Sequence, residues 1–168
     1  CTIALSPTAN PSITTKGIGT DAFTLLSLAS GGTLQTDAQA TSNLTITAGT
    51  LLLNGHNLSV GGNLTGAGLT ASAGAAITVG GNWNIATFTP STSTVTFTGS
   101  SGAGPFTVTS NSQSFSSVVL NAAGKSYQQA AGATGDATMA SLTLTAGTWQ
   151  TNATATALTV SGSISGAG

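Results

Sequence analysis

The feature that most constrains this chain is a phrase that the sequence contains twice. Residues 44–68 read LTITAGTLLLNGHNLSVGGNLTGAG, and residues 142–168 read LTLTAGTWQTNATATALTVSGSISGAG, the same phrase with a short insertion. A shorter copy, ITVGGNWNI, lies between them at 77–85. In each copy apolar residues alternate with Thr, Ser or Asn, and a glycine-rich turn follows. This alternation, closed by a turn and then repeated, is typical of stacked β-strand repeats.

The two copies belong to longer modules. Phe23 at the start of the first module corresponds to Phe115 in the second, and Leu44 corresponds to Leu142. The second interval is the longer of the two, so the second module has gained residues in the loop before the strand that begins at Leu142.

From this alignment we expect three parts. Residues 1–22 contain two of the four prolines, which interrupt a regular ladder, and they are expected to form an N-terminal extended arm or linker. A first β-repeat module is expected at 23–114, and a second, incomplete module at 115–168.

Apolar residues occur in i, i+2 pairs, as short strands with one buried face require. The pairs that begin at Leu44, Leu58, Ile77 and Val95 follow one another at intervals close to one turn of a β-helix. The corners repeat the sequence Val-Gly-Gly-Asn, and glycine supplies the positive φ that sharp turns demand. We therefore expect an all-β fold, a right-handed parallel β-helix (β-solenoid) of short glycine-cornered rungs, where a rung is one turn of the chain.

The alternative is an antiparallel β-sandwich of repeated modules. The pair Asn54-Gly55 favours it most, since this dipeptide is typical of a type I′ hairpin. A sandwich predicts similar strands but not the repeated Val-Gly-Gly-Asn corner, so the solenoid is preferred. No window shows the 3.6-residue period of a helix.

Charge is nearly absent from the chain. Lys16, Lys125, Asp21, Asp37 and Asp136 are its only charged side chains, 3% of the residues, against about 25% in globular domains. A net charge of −1 excludes the clustered Lys and Arg of a nucleic-acid-binding protein. It also excludes polybasic attraction to anionic lipid. A surface with so little charge repulsion favours self-association.

The phrases LTITAGTLLLNGHNLSVGGNLT, ITVGGNWNIATFTPSTSTVTFTGS and FSSVVLNAAGKSY are together similar to the β-strand repeats of very large bacterial surface proteins. In the composition and glycine spacing of these repeats, residues 23–168 resemble filamentous haemagglutinin and autotransporter passenger regions. The resemblance implies a right-handed β-helix at the bacterial cell surface or outside the cell, used for adhesion or as a stalk. It transfers no catalytic residue.

Cys1 is the single residue that most suggests a specific function. A mature N-terminal cysteine is what lipoprotein processing leaves, and a lipid on it would be the only membrane attachment that the sequence supports. The thiol could instead form a covalent bond to a neighbouring subunit, because one cysteine cannot make an internal disulfide. The third reading is that Cys1 has no special role.

The remaining titratable groups do not predict an enzyme or a metal site. His56 is the only histidine and lies in a turn without a second ligand nearby in sequence. Asp37 and Asp136 fall in equivalent loops about one module apart, too far to share a catalytic site, so turn or capping roles are expected. We expect no catalytic residue, no metal and no cofactor.

Three other patterns have a structural and a functional reading. Trp83 and Trp149 stand where the repeat otherwise has Leu or Ile, so they are core residues or, if exposed, a sugar-stacking platform. Four asparagines begin glycosylation sequons, for which coincidence is the main explanation in a chain so rich in Asn and Thr: Asn43, Asn57, Asn63 and Asn152. Runs of alternate threonines either face outward from half-buried strands or match an ice lattice: Thr45 and Thr47; Thr94, Thr96 and Thr98; Thr143 and Thr145.

The final strands lack the charges, prolines and polar caps that protect the ends of natural solenoids. We therefore expect the structural subunit of an extracellular filament or cell-surface layer, in which copies join head to tail through uncapped β-edges and the N-terminal arm. The alternative is an adhesin, or an ice- or carbohydrate-binding solenoid, that acts as a monomer or within a larger surface protein on a host surface or glycan. The assembly or anchoring candidates are Cys1, Ile3, Leu5, Leu158, Val160 and Ile164.

Overall fold

The computed structural model describes residues 2–5, 11–15, 17–19, 25–72, 74–154 and 156–166. These residues form a parallel β-solenoid of about seven turns, as the sequence predicts. The described part contains no α-helix, only a 3₁₀ turn at Ala133–Gly135, and so no helix in it has the length and hydropathy to cross a membrane.

The strands line up in three faces, A, B and C, which the chain visits in that order. Face A contains β1 (Thr2–Leu5), β3 (Leu25–Leu28), β6 (Leu44–Ile46), the starts of β9 (Leu64–Thr70) and β11 (Trp83–Thr89), β13 (Phe106–Thr109), and the ends of β14 (Ser114–Gln129) and β15 (Ala137–Gln150). Face B contains β2 (Ser12–Ile13), β4 (Gly31–Leu34), β7 (Thr50–Leu52), the ends of β9 and β11, the starts of β14 and β15, and β16 (Leu158–Val160). Face C contains β5 (Ala38–Ala40), β8 (Leu58–Val60), β10 (Ala76–Val79), β12 (Thr94–Phe97), the middles of β14 and β15, and β17 (Ile164–Gly166).

The antiparallel sandwich is wrong, because every strand pairing among the described residues is parallel and joins strands of successive rungs. Asn54 and Gly55 do have the positive φ values of a type I′ turn, 51° and 84°. However, they connect β7 on face B to β8 on face C, and each of these strands pairs with the rungs above and below instead. The dipeptide forms a corner here, since its flanking strands already have other partners.

Two of the three intervals from which the rung length was expected are single turns of the solenoid, and the third is not. Leu58, Ile77 and Val95 are direct partners in successive rungs of face C, so the intervals between them are single turns of the solenoid. The shorter interval from Leu44 to Leu58 is not a turn, because Leu44 lies on face A and Leu58 on face C of the same rung.

Every second residue of a strand points inward and stacks on its partner in the next rung. On face C the ladder Leu58, Ile77, Val95 and Val118 is buried, with no member more than 1% exposed. Burial of each such side chain contributes about 1.5–3 kcal/mol. In the later rungs the interior is filled by aromatic rings whose contacting centroids are 4.9–6.5 Å apart: Trp83, Phe88, Phe97, Phe106, Phe115, Tyr127 and Trp149.

The two copies of the sequence repeat lie on different faces. Leu44 pairs with Leu64 on face A, whereas its sequence equivalent Leu142 pairs with Ile164 on face C. The strands of the two predicted modules, 23–114 and 115–168, also pair with each other, since β12 and β13 both bind β14. The stack therefore passes from one module to the next without interruption.

Two segments of the predicted arm, 1–22, also lie in the stack. β1 pairs with β3 along its whole length, and β2 pairs with β4. Thr15 then bonds to the next rung, where its backbone N–H donates to Thr36 Oγ1 at 2.7 Å. These segments form the rung on which β3 and β4 stack.

The repeated glycine corners have a different cause from the one that the sequence suggests. Gly61, Gly62, Gly80 and Gly81 do not have positive φ. Instead, a Cβ at Gly80 would collide with the carbonyl oxygen of Gly61 in the rung below, and a Cβ at Gly61 would collide with the carbonyl oxygen of Thr41. Glycine is required at these corners because successive rungs approach too closely to leave room for a Cβ. A positive φ is not the reason.

Candidate functional site

The inward side chains lose their cover in the last described rung. On face C, Val118 is 0% exposed, its partner Leu142 is 2% exposed, and Ile164, the next in the same ladder, is 65% exposed. Among the described residues no strand pairs with the outer edges of β16 and β17. We call this surface the open end. Its inward side chains are Leu144, Trp149, Leu158, Val160 and Ile164.

The structure brings three of the predicted assembly residues together and separates two others from them. Leu158 and Val160 lie partly buried on face B and Ile164 lies on face C of the same rung. Ile3 and Leu5 are at the opposite end of the solenoid, in β1, whose pairing with β3 leaves its other edge without a described strand. Cys1 lies outside the described residues.

Sequence reasoning missed Leu144 and Trp149 at the open end. Leu144 has a fully buried counterpart in Leu120, and Trp149 has one in Tyr127, each one rung earlier. Both residues are only partly buried where they stand. A signal was present in the sequence, since Leu144 belongs to the same i, i+2 pair as Leu142.

The two described aspartates, Asp37 and Asp136, each accept a hydrogen bond from a backbone N–H. Asp37 Oδ1 accepts a hydrogen bond from the backbone N–H of Asn57 at 2.8 Å, and Asp136 Oδ1 accepts one from Ala157 at 2.7 Å. Each bond reaches the next rung, so both carboxylates cap a strand of that rung. The backbone hydrogen bond from Asn57 lowers the pKa of Asp37 below its ordinary value of 3.8. Asp21 lies outside the described residues.

His56 is half-buried at the corner between faces B and C, with its Nδ1 atom 3.6 Å from Asp37 Oδ1. No group of three or more potential metal ligands occurs in the part of the chain that the structure describes. His56 therefore has the position of a turn residue beside one carboxylate.

An asparagine ladder holds the corner between faces C and A. Asn43 Oδ1 accepts the backbone N–H of Asn63, and Asn63 Oδ1 accepts that of Asn82, both at 2.8 Å. Asn82 Oδ1 then accepts the N–H of Thr107 at 2.7 Å. Each side chain supplies an acceptor to a backbone donor that leaves the strand ladder at the corner. The oxygens of these side chains therefore have a structural role, holding one rung to the next.

Trp83 and Tyr127 are among the aromatic residues that lie deep in the core. Trp83 is 1% exposed, which confirms the core reading and excludes a sugar-stacking role for it. Tyr127 is 0% exposed; its hydroxyl accepts from Gly99 N–H at 3.0 Å and donates to the Val79 carbonyl at 3.3 Å. Burial raises the pKa of Tyr127 to about 12.

The outward side of face C is an uncharged array of residues in register. One file of outward residues runs in register through successive strands: Gln39, Ser59, Thr78, Thr96, Val119, Thr143 and Ser165. Strands in such a sheet are about 4.8 Å apart, so the file repeats at that spacing. Thr143 Oγ1 and Ser165 Oγ lie 3.1 Å apart, which shows that neighbouring hydroxyls in the file interact.

Comparison with protein-family models, with curated proteins and with solved structures finds no match for this chain.

Proposed function

We propose that this chain is a structural, non-enzymatic subunit of an extracellular filament or cell-surface layer, in which copies stack end to end. The observation that carries the proposal is the open end, where Ile164 is 65% exposed at a ladder position that buries Val118 and Leu142 in earlier rungs. An apolar ladder whose strand edges have no partner among the described residues is stabilised by one more rung, because that rung covers the side chains and binds the edge backbone groups.

A second copy is the occupant that the face order favours. The last described strand of face A at the open end is the end of β15, and β1, at the opposite end of the described stack, also lies on face A. A copy that docks with its β1 against Thr148–Gln150 would place its β2 against β16 on face B, so the A, B, C order continues across the junction. Such a heterologous contact does not close on itself and gives a filament.

The proposed location is the surface of a bacterial cell or the medium outside it. It is supported by the resemblance of residues 23–168 to bacterial surface repeats. A net charge of only −1, which gives copies little repulsion, favours their association. The partner is another copy of the chain.

The test compares two lysine substitutions on neighbouring residues of β17. Ile164→Lys places a charge between stacked rungs, whereas Ser165→Lys places the same charge on the outer surface of face C. We expect the wild-type protein and Ser165→Lys to form filaments in electron micrographs at high concentration. Ile164→Lys should raise the end-to-end Kd by about 100-fold or more, because a charge buried without a partner costs several kcal/mol.

Sedimentation velocity measures the Kd, and circular dichroism checks that each variant keeps its β-structure. Ile164 is already exposed in the single chain, so its replacement should leave the monomer folded. Wild-type protein that stays monomeric at high concentration, or two variants that assemble equally well, would show that copies do not cover the open end.

A second candidate function is binding of a flat, periodic ligand such as ice or a crystalline carbohydrate. The hydroxyl file of face C favours it, since Ser59, Thr78 and Thr96 repeat in register without a charge. A soluble monomer that slows ice growth or sediments with crystalline polysaccharide would favour this function over assembly.

A further inference from the structure

The four glycosylation sequons of the sequence have different surroundings in the structure. Asn43 and Asn63 each accept a backbone N–H of the next rung through Oδ1, at 2.8 Å. Asn57 is held at both ends of its amide: Oδ1 accepts the N–H of Ala76 at 2.9 Å, and Nδ2 donates to Asp37 Oδ2 at 3.1 Å.

The residues that follow these three asparagines lie in paired strands. Leu44 begins β6, Leu58 begins β8 and Leu64 begins β9. Each leucine is no more than 1% exposed, so it anchors its sequon in the core. A glycosylating enzyme must bind the sequon as a separate, bent segment. It cannot bind these three sequons in that way, because each runs into a strand that is paired on both edges and has its leucine packed in the core.

The fourth sequon, Asn152-Ala153-Thr154, lies in a turn at the corner between β15 on face A and β16 on face B. Ala153 and Thr154 are exposed, and Asn152 is half-buried. Asn152 Oδ1 accepts the backbone N–H of Thr154 at 3.1 Å, which bends the sequon back on itself. Among the described residues Nδ2 of Asn152 has no hydrogen-bond partner.

The backbone around this asparagine is held in place. Asn152 N–H donates to Thr156 Oγ1 at 3.0 Å, and Thr156 Oγ1 donates to the Asn152 carbonyl at 3.1 Å. The turn therefore presents an amide nitrogen beside two exposed residues, Ala153 and Thr154, and its modification breaks no described bond of the rung ladder.

We propose that Asn152 is an acceptor site for an N-linked glycan. The donor class is a polyprenyl-diphosphate-linked oligosaccharide. The Asn152 nitrogen forms a bond to the anomeric carbon, the bond from that carbon to the phosphate oxygen breaks, and the polyprenyl diphosphate leaves with the bonding electrons. The amide nitrogen gives up one proton to solvent. In the cell this step rests on the proposed passage of the chain to the cell exterior.

The experiment incubates the purified, folded chain with an oligosaccharyltransferase and its lipid-linked oligosaccharide, followed by mass spectrometry of peptides. We expect a single glycan on the folded chain, at Asn152. Short synthetic peptides that span each of the four sequons serve as competence controls, and all four should be modified. Because the assay uses purified monomer, it does not depend on filament formation, and failure of either proposal leaves the other standing.

Three variants locate the site. Asn152→Gln and Thr154→Ala should abolish modification of the folded chain, whereas Thr154→Ser should keep it, since only the hydroxyl is required. The Thr154 side chain makes no described hydrogen bond, so neither substitution there should disturb the turn. A folded chain that stays unmodified although the Asn152 peptide is modified would overturn the proposal. A glycan on Asn43, Asn57, Asn63 or a threonine of the folded chain would overturn it as well.

Discussion

At the scale of single residues, Tyr127 shows how the core joins distant rungs. Its hydroxyl accepts from Gly99 N–H and donates to the Val79 carbonyl, which belong to the corner after β12 and to β10. The ring contacts Phe97 and Phe106 with centroid distances of 4.9 and 5.0 Å. One phenol thus satisfies two backbone groups inside an aromatic cluster, and its ionisation would place a charge there.

The titration of this tyrosine is our first stability prediction. Burial raises the folded-state pKa of Tyr127 to about 12, against 10.0 in an unfolded chain. The unfolded state therefore loses its proton at lower pH, so the stabilisation is complete below pH 10 and is lost as the pH rises toward 12. The loss should be about 2 kcal/mol.

Tyr127 is the only tyrosine, so its ultraviolet absorbance follows its ionisation without interference from another phenol. Urea unfolding at a series of alkaline pH values gives the stability change, and Tyr127→Phe should remove most of its pH dependence in that range. A folded-state titration with its midpoint at the ordinary pKa of 10.0 would contradict the prediction.

At the scale of elements, the glycine corners determine how closely rungs can stack. The corner after β10 contains Gly80, where a Cβ would collide with the carbonyl oxygen of Gly61. Gly80→Ala should therefore destabilise the protein by about 3 kcal/mol or more, because the obstruction is backbone and cannot rotate away. Thermal or urea unfolding measures the loss.

Gly102→Ala is the matched control for this substitution. A Cβ at Gly102 would meet no atom within 4 Å, and its φ is not positive. Its effect should stay within about 0.5 kcal/mol, as for other surface changes. Equal effects at Gly80 and Gly102 would show that rung contact does not determine the corner.

The fold class could be predicted from the sequence because the apolar ladder and the corners repeat. The intervals from Leu58 to Ile77 and from Ile77 to Val95 give the rung length of face C directly. The assignment of strands to faces could not be predicted in this way. Leu44 and Leu142 have matching sequences, yet the interval between them is not a whole number of rungs, so the second copy lies on another face.

Differences in loop length explain why the second sequence copy lies on another face. Leu64 and Trp83 are partners on face A, and the chain between them follows a short path around one rung. The path from Trp83 to its next partner, Val108, is longer, because it includes a loop at 98–105 between β12 and β13. Loop length varies at little energetic cost, so it is not fixed by the strand pattern. Leu158, Val160 and Ile164, which the sequence suggested as assembly candidates, lie at the open end, but the sequence could not show that β1 lies at the far end of the same stack.

At the scale of the whole molecule, a solenoid is stabilised by each rung and by its contacts with the rungs on either side. The central strands β10 and β12 have partners on both edges, and their inward residues Ile77 and Val95 are no more than 1% exposed. β16 and β17 have a described partner on one edge only. Stability should therefore fall along the stack toward the open end.

Amide hydrogen exchange measures this gradient and its response to assembly. In the monomer we expect the amides of β16 and β17 to exchange at least about tenfold faster than those of β10 and β12, because local opening there breaks fewer contacts. In filaments the amides of β16, β17 and Thr148–Gln150 should slow markedly, while those of β10 and β12 should change little. Ile164→Lys should keep its last rung in fast exchange at every concentration, whereas Ser165→Lys should behave as the wild type. Uniform protection in the monomer would contradict the gradient, and filaments whose last rung still exchanges fast would show that the copies join through another surface.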